Sequence, residues 1–390
     1  MNQGRYVFSQ LMDYISRHEF DKCVDRYRGN HRVRDFTCWH QFLCLMFGQL
    51  TSRESLRDII TCLQSRGKGL YHLGLGTKVA RSTLSDANQR RNWRIYADYA
   101  QYLMKEAREL YSHEAATDVG IDNTVYALDS SLIHLCLNIF YWAKYRKTTA
   151  ATKIHTLLDV KNELPSYFCI TDGLKSDMKI LPELFFEPEA FYVMDRGYMD
   201  FEQLYRIHSS RAYFIIPAKA TLKFRRQRSQ DTKSEEHIMS DQIGVFTVYY
   251  SKKRYPDKIR RIRSKDPQTG KSIILLTNNM VLSASMLATL YRYRWRIEVF
   301  FRWIKQHLRI KVFWGESENA VKTQIWAALC TYLLVAIMKK RLNIQQKMHE
   351  ILQVLSVSVF DKTPVNQLFT ETGIQKQSEA GYNQLSIFDL

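Results

Sequence analysis

Apolar positions recur along this chain with two different periods, and the change of period divides it. Residues 1 to about 115 follow the helical spacing. Trp39–Leu50 predicts a dense apolar helix, and Trp93–Tyr111 a longer one. Thr51 and Glu54 have capping-box spacing and predict a helix over Ser55–Leu63. Residues 81–91 (RSTLSDANQRR) are polar, short and rich in groups that can contact DNA. They fit the second half of a helix-turn-helix, or equally a solvated face inside a helical bundle.

From about 120 the period shortens. Val125–Leu128, Leu132–Leu137, Ile154–Val160, Ser166–Thr171 and Phe191–Met194 are short runs that read as strands. Asp200 with Gln203 caps a helix over Phe201–His208, and a strand follows at Ala212–Ile216. Strands followed by strand–helix–strand predict an α/β fold with a mixed sheet flanked by helices. Alternation at Val245–Tyr250 and the apolar run Ile273–Thr277 predict further strands, and a helix starts near Ser283. The longest apolar stretch, Ile325–Met338, has 14 residues. A membrane span needs about 20, so this reads as a core helix and membrane anchoring is not expected. The final residues lose their apolar period, and Gln375–Asn383 reads as a flexible tail.

Charge sharpens the picture. The chain has 390 residues and a net charge of +18, which favours a polyanionic partner, nucleic acid before membrane. Residues 219–265 hold 14 Lys and Arg against 5 acids, half of the net charge in a small part of the chain. The seven cysteines are scattered, with no CxxC. They read as reduced thiols of a cytoplasmic protein and not as a zinc site.

Phosphodiester chemistry by two metals needs carboxylates gathered from distant parts of a chain. Asp129 and Asp195 each follow an apolar run, where a strand would give way to a turn. Asp159, Asp172, Asp177 and Asp200 compete; Asp172 precedes Gly173 and suits a turn, and Asp200 suits a cap. His134 and His155 read as hydrogen-bonded core histidines. A third carboxylate comes from the stretch Tyr291 to Lys305. Read as one helix at about 100° per residue, Tyr291, Arg294, Glu298 and Lys305 share a stripe about 60° wide. Arg302 and Arg309 fall close by. The opposite flank, with Phe300, Trp303 and Ile304, can bury against a sheet.

The spacing Y-x2-R-x3-E-x6-K resembles the signature of DDE transposases of bacterial insertion sequences, in the subgroup named after insertion sequence four. ALDSS at Asp129, FYVMDRGYMDFEQL at Asp195, and the N-terminal SRESLRDI and ARSTLSDANQRRNW resemble it too. The resemblance implies an RNase H-like catalytic core with a β-rich insertion between the second Asp and the Glu. It implies that Asp129, Asp195 and Glu298 hold two Mg2+ ions, with Mn2+ as a substitute. Tyr291, Arg294 and Lys305 would then contact DNA phosphates, joined by Arg302, Arg196, Arg225, Arg226, Lys252 and Lys253. The expected organisation is a helical DNA-binding domain (1–115), a core in two parts (119–218 and 286–345), a basic β-rich insertion (219–285) and a helical extension with a tail (346–390). Two departures stand out. Ser131 replaces a Thr common in the family, and no Trp occurs in 219–285 to stack on a flipped base. Tyr249, Tyr250 or Tyr255 would have to take that place.

The last residues, Gln384, Leu385, Ser386, Ile387 and Phe388, resemble the short peptide that docks on the bacterial replication sliding clamp. The expected protein is a transposase that binds terminal inverted repeats, cleaves and joins double-stranded DNA, and acts at least as a homodimer on DNA. An RNase H-like nuclease without strand transfer, and a domesticated DNA-binding protein without catalysis, stay open.

Overall fold

The computed structural model describes residues 4–76, 78–112, 120–146, 148–219, 221–232, 235, 237–265 and 270–369. The chain opens with helices α1 (Val7–Met12), α2 (Arg17–Arg26), α3 (Cys38–Leu50), α4 (Leu56–Gln64), α5 (Arg81–Arg90) and α6 (Arg94–Tyr111). Thr37 caps α3 by accepting the His40 N–H, and every residue of α3 except His40 is buried. The expected cap of α4 differs. Thr51 ends α3 and bonds back to the Phe47 carbonyl, so it cannot also start the next helix. Ser55 caps α4 instead, accepting the Asp58 N–H.

The strands are β1 (Val125–Leu135), β2 (Lys144–Arg146), β3 (Thr149–Asp159), β4 (Leu164–Asp172), β5 (Phe191–Met194), β6 (Tyr213–Pro217), β7 (Phe224–Gln230), β8 (Ile238–Phe246), β9 (Ile259–Lys265) and β10 (Ser272–Thr277). They form one mixed sheet in the order β2-β3-β1-β5-β6-β10-β9-β8-β7, with β4 also on β3. β3 runs antiparallel to β1 and β4, whereas β1, β5 and β6 are parallel. This is the expected α/β class, and its half from β4 to β6 has the layout of an RNase H-like core. Because β10 pairs with β6, the basic segment extends the same sheet.

Helices α7 (Phe201–Ser209), α8 (Tyr249–Arg254), α9 (Ala284–Arg292), α10 (Trp295–His307), α11 (Glu318–Arg341) and α12 (Met348–Ser358) complete the chain. Asp200 caps α7 through the Glu202 and Gln203 N–H groups, as expected. Two expectations fail. Tyr249 and Tyr250 lie on α8 and not on a strand, because β9 begins at Ile259 and β7 at Phe224, leaving no neighbour to pair beyond Phe246. The helix expected from Tyr291 to Lys305 is broken. The N–H groups of Tyr293, Arg294, Arg296 and Ile297 all bond three residues back, a tight turn between α9 and α10.

α11 is long and apolar enough to cross a membrane, but 94% of its apolar window is buried inside the protein. It packs on α3, α5, α6 and α12. One continuous core joins these helices to the sheet face that carries Val125, Ala127 and Val193. The other face, with Tyr126, Leu128 and Met194, has its own core. The strand period of two therefore decides which side chains meet which layer.

Candidate active site

Leu128 on β1 pairs with Met194 on the parallel β5. The next residue on each is an aspartate, so Asp129 and Asp195 stand side by side. Both follow the alternation of Ala127 and Val193, which places them on the face toward α10. Asp129 does not end its strand, as its position after Leu128 suggested. β1 continues to Leu135 because Ser130 to Leu135 pair with β3. Asp195 does end β5; it caps a 3-10 turn, Arg196–Tyr198, accepting the Arg196 N–H at 2.6 Å.

Glu298 comes from the first turn of α10. Arg294, the residue before α10, joins it to Asp129. Its guanidinium donates to Asp129 Oδ2 at 3.1 Å and to Glu298 Oε1 at 2.6 Å. The other oxygen of Asp129 accepts the Ser130 N–H at 2.8 Å. Lys305, two turns further on, donates to Ser131 Oγ at 2.6 Å and to the Leu132 carbonyl at 2.9 Å. Ser131 thus keeps the hydroxyl that a Thr would offer. Tyr291 lies in the last turn of α9, across the tight turn, and is partly buried.

Burial pushes the Asp129 carboxyl up to about 6. The Ser130 N–H and Arg294 oppose that rise, and the charges of Asp195 and Glu298 add to it. Burial pulls Arg294 down, but the Glu298 hydrogen bond and the surrounding acids raise it overall. Burial raises the Tyr291 phenol and, with Lys311 nearby, lowers the Lys305 ammonium. Three mutually repelling carboxylates with no nitrogen or sulfur donor form a hard-oxygen set, the chemistry that suits Mg2+ or Mn2+. As they stand, no three His, Cys, Asp or Glu side chains among the described residues are gathered tightly enough to enclose an ion. Arg294 separates Asp129 from Glu298.

Of the other predicted contacts, Arg302, Arg196, Arg225, Arg226, Lys252 and Lys253 are all exposed. Arg302 lies over the Trp295 ring. Arg225 and Arg226 sit on β7, at the sheet edge, and Lys252 and Lys253 on α8. The clamp-like peptide Gln384–Phe388 lies outside the described residues.

On the opposite face of β1, Asp177 and His155, the latter expected as a hydrogen-bonded core histidine and found as one, gather in a polar cluster that the sequence did not bring together. Asp177 Oδ1 accepts from Ser130 Oγ at 2.7 Å and from Lys153 at 3.2 Å. His155 is fully buried beside it, with Nε2 on Thr171 Oγ1 at 3.0 Å. The period-two alternation of Ser130 and of Lys153 with His155 was the available signal. His134, expected in the core, is exposed. Burial and two lysines pull His155 down to about 4, against Asp177. The unfolded imidazole titrates near 6.5, so the stability contributed by keeping His155 neutral is fully present above that pH and is lost as pH falls toward 4. The loss is about 3 kcal/mol. Urea unfolding at pH 7.5 and 4 should show wild type losing that much more than His155→Gln; equal losses would refute the assignment.

The profile described as "Transposase DDE domain" matches residues 121–334, more than half of the chain. The chain belongs to the DDE transposase family. A domain of unknown function (DUF4372) matches residues 3–76 of this transposase. A putative transposase of Sinorhizobium fredii is 32% identical over 67% of this chain and 71% of its own. A putative transposase for insertion sequence element IS4SA of Synechocystis is 22% identical over 82% of this chain and 88% of its own. A piggyBac transposase synaptic complex with hairpin DNA, solved by cryo-EM, aligns over 94% of this chain and 80% of its own, with a TM-score of 0.45 and 10% identity. Transposases of this family act on DNA and generally use divalent metal ions.

Proposed function

We propose that this transposase cuts and joins the ends of a bacterial insertion sequence of the insertion-sequence-four group. The observation that supports it most is the adjacency of Asp129 and Asp195 on parallel strands, with Glu298 linked to Asp129 through Arg294. Asp129, Asp195 and Glu298 would hold two Mg2+ ions, which when bound activate the attacking oxygen and stabilise the leaving one. The residues themselves do the positioning. Tyr291, Arg294 and Lys305 would face the scissile phosphate as donors, and their placement on α9, the turn before α10 and α10 itself would hold it in line with the attacking oxygen. Water attacks first and frees a 3′-OH; that 3′-OH then attacks target DNA.

Exposed cations on β7 and α8, with Arg196 and Arg302, would clamp the backbone of both duplexes. The N-terminal helices, α5 among them, would recognise the terminal repeats. Pairing two ends requires two copies on DNA. The tail peptide Gln384–Phe388 would dock on the sliding clamp, in the cytoplasm. The test is a labelled duplex of the element's terminal repeat incubated with protein, Mg2+ and a supercoiled target. Joined products are the expected result. Nicked ends without joining would leave a nuclease, and no Mg2+-dependent cleavage would leave a DNA-binding protein.

A further inference from the structure

Arg294 turns both terminal nitrogens of its guanidinium onto acids. One nitrogen serves Asp129 Oδ2 at 3.1 Å and another serves Glu298 Oε1 at 2.6 Å. A cation shared by those two carboxylates has to lie between them, and Arg294 is already there. The arrangement also explains why the carboxylates do not close around one point. A planar fork engages either a carboxylate pair or a phosphate, and Arg binds both groups well. Lys305 does not serve as their counterion in this arrangement, because two of its three donors go to Ser131 Oγ and the Leu132 carbonyl.

The backbone at Arg294 suits a moving part. It sits where α9 gives way to α10, in a run of three-residue hydrogen bonds. Such tight turns inside helical stretches recur at hinges. The side chain is mostly buried but keeps 19% of its surface exposed, an opening through which it meets an incoming phosphate without unfolding its surroundings.

We infer that Arg294 is an exchangeable counterion that couples DNA binding to metal binding. Without DNA it neutralises Asp129 and Glu298 and keeps them from a divalent ion. When a DNA end docks, the guanidinium moves onto a backbone phosphate and frees both carboxylates. The site then loads metal only where there is DNA to cut. This rests on the proposed reading of Asp129, Asp195 and Glu298 as metal ligands and of DNA as substrate. Coupling of this kind is reciprocal: DNA tightens metal by the factor by which metal tightens DNA.

Mn2+ binding to the full chain, followed by loss of the free-ion EPR signal, tests this directly. It is measured alone and with a duplex of the element's terminal repeat, with Asp129→Asn as the blank for ions held elsewhere. In wild type the duplex should tighten Mn2+ by about tenfold or more. Arg294→Gln should bind Mn2+ about tenfold more tightly than wild type without DNA, and the duplex should add less than about threefold. Arg294→Lys, which keeps the charge but not the fork, should fall between. Wild-type affinity that ignores the duplex, or Arg294→Gln no tighter than wild type, overturns the exchange and leaves the metal site standing. Asp129→Asn binding Mn2+ as wild type does would overturn the metal-ligand reading as well. If Arg294→Gln fails to fold, the wild-type comparison with and without duplex decides.

Discussion

Asp129→Asn should lower Mg2+-dependent cleavage of terminal-repeat DNA by about a thousandfold or more. Asparagine keeps the shape of the side chain and the acceptor for the Ser130 N–H. It removes only the charge that a divalent ion and the reaction need. Asp195→Asn and Glu298→Gln should fall as far, and a double variant hardly further, because the three act as one unit. End binding measured without divalent metal should stay within about threefold of wild type, since phosphates are held by cations that these changes leave in place. Folding should survive too. Burial and two neighbouring acids already disfavour the Asp129 charge, so a neutral amide relieves repulsion in the metal-free protein. Cleavage and gel-shift assays on one labelled duplex measure both quantities. A variant that retains a tenth of wild-type cleavage would remove its residue from the site.

Arg260→Met should cost about 3–5 kcal/mol of stability, the largest expected loss outside the site. Arg260 and Asp241 are almost wholly buried, with side chains 3% and 2% exposed. Arg260 donates to Asp241 through Nε at 2.9 Å and a terminal nitrogen at 2.6 Å. Its remaining nitrogen reaches the Leu282 carbonyl at 2.6 Å and the Asn279 carbonyl at 3.3 Å. The residue thus ties β8 and β9 to the loop that leads into α9, and so the basic end of the sheet to Tyr291 and Arg294. Removing the guanidinium leaves a bare carboxylate and two carbonyls in the interior. Adding Asp241→Leu to Arg260→Met should recover much of the loss, because an apolar pair of similar volume needs no partner. Urea denaturation of the three proteins decides it. A single-variant loss under about 1 kcal/mol would mean that water reaches Asp241.

The two cases show where local pattern carries information and where it stops. Phe191–Met194 ends on Asp195 as its apolar run indicates, because a short strand buried on both faces announces its limits. Asp129 was visible as a candidate but was placed at a strand end. The polar triplet Asp129, Ser130 and Ser131 looks like a turn until β3 is there to pair with it. The break at Tyr293 and Arg294 was invisible for a different reason. Both residues keep right-handed helical angles, so the apolar period runs through the break almost undisturbed. Tyr249 and Tyr250 misled in the opposite direction, since tyrosine favours strands only where a neighbouring strand exists.

From its order of residues alone the chain could be read as a basic α/β protein with three acidic positions in the sequence Asp, Asp, Glu and cations spaced around the third. Those features rest on periodicity, charge and residue type, which are local. Folding alone decided that Asp129 and Asp195 are neighbours, since parallel pairing of β1 with β5 joins segments more than sixty residues apart. It also decided that Arg294 lies between two carboxylates and that Lys305 is held by β1. Each of these depends on which face a strand turns toward α10, and a face acquires meaning only when another layer covers it.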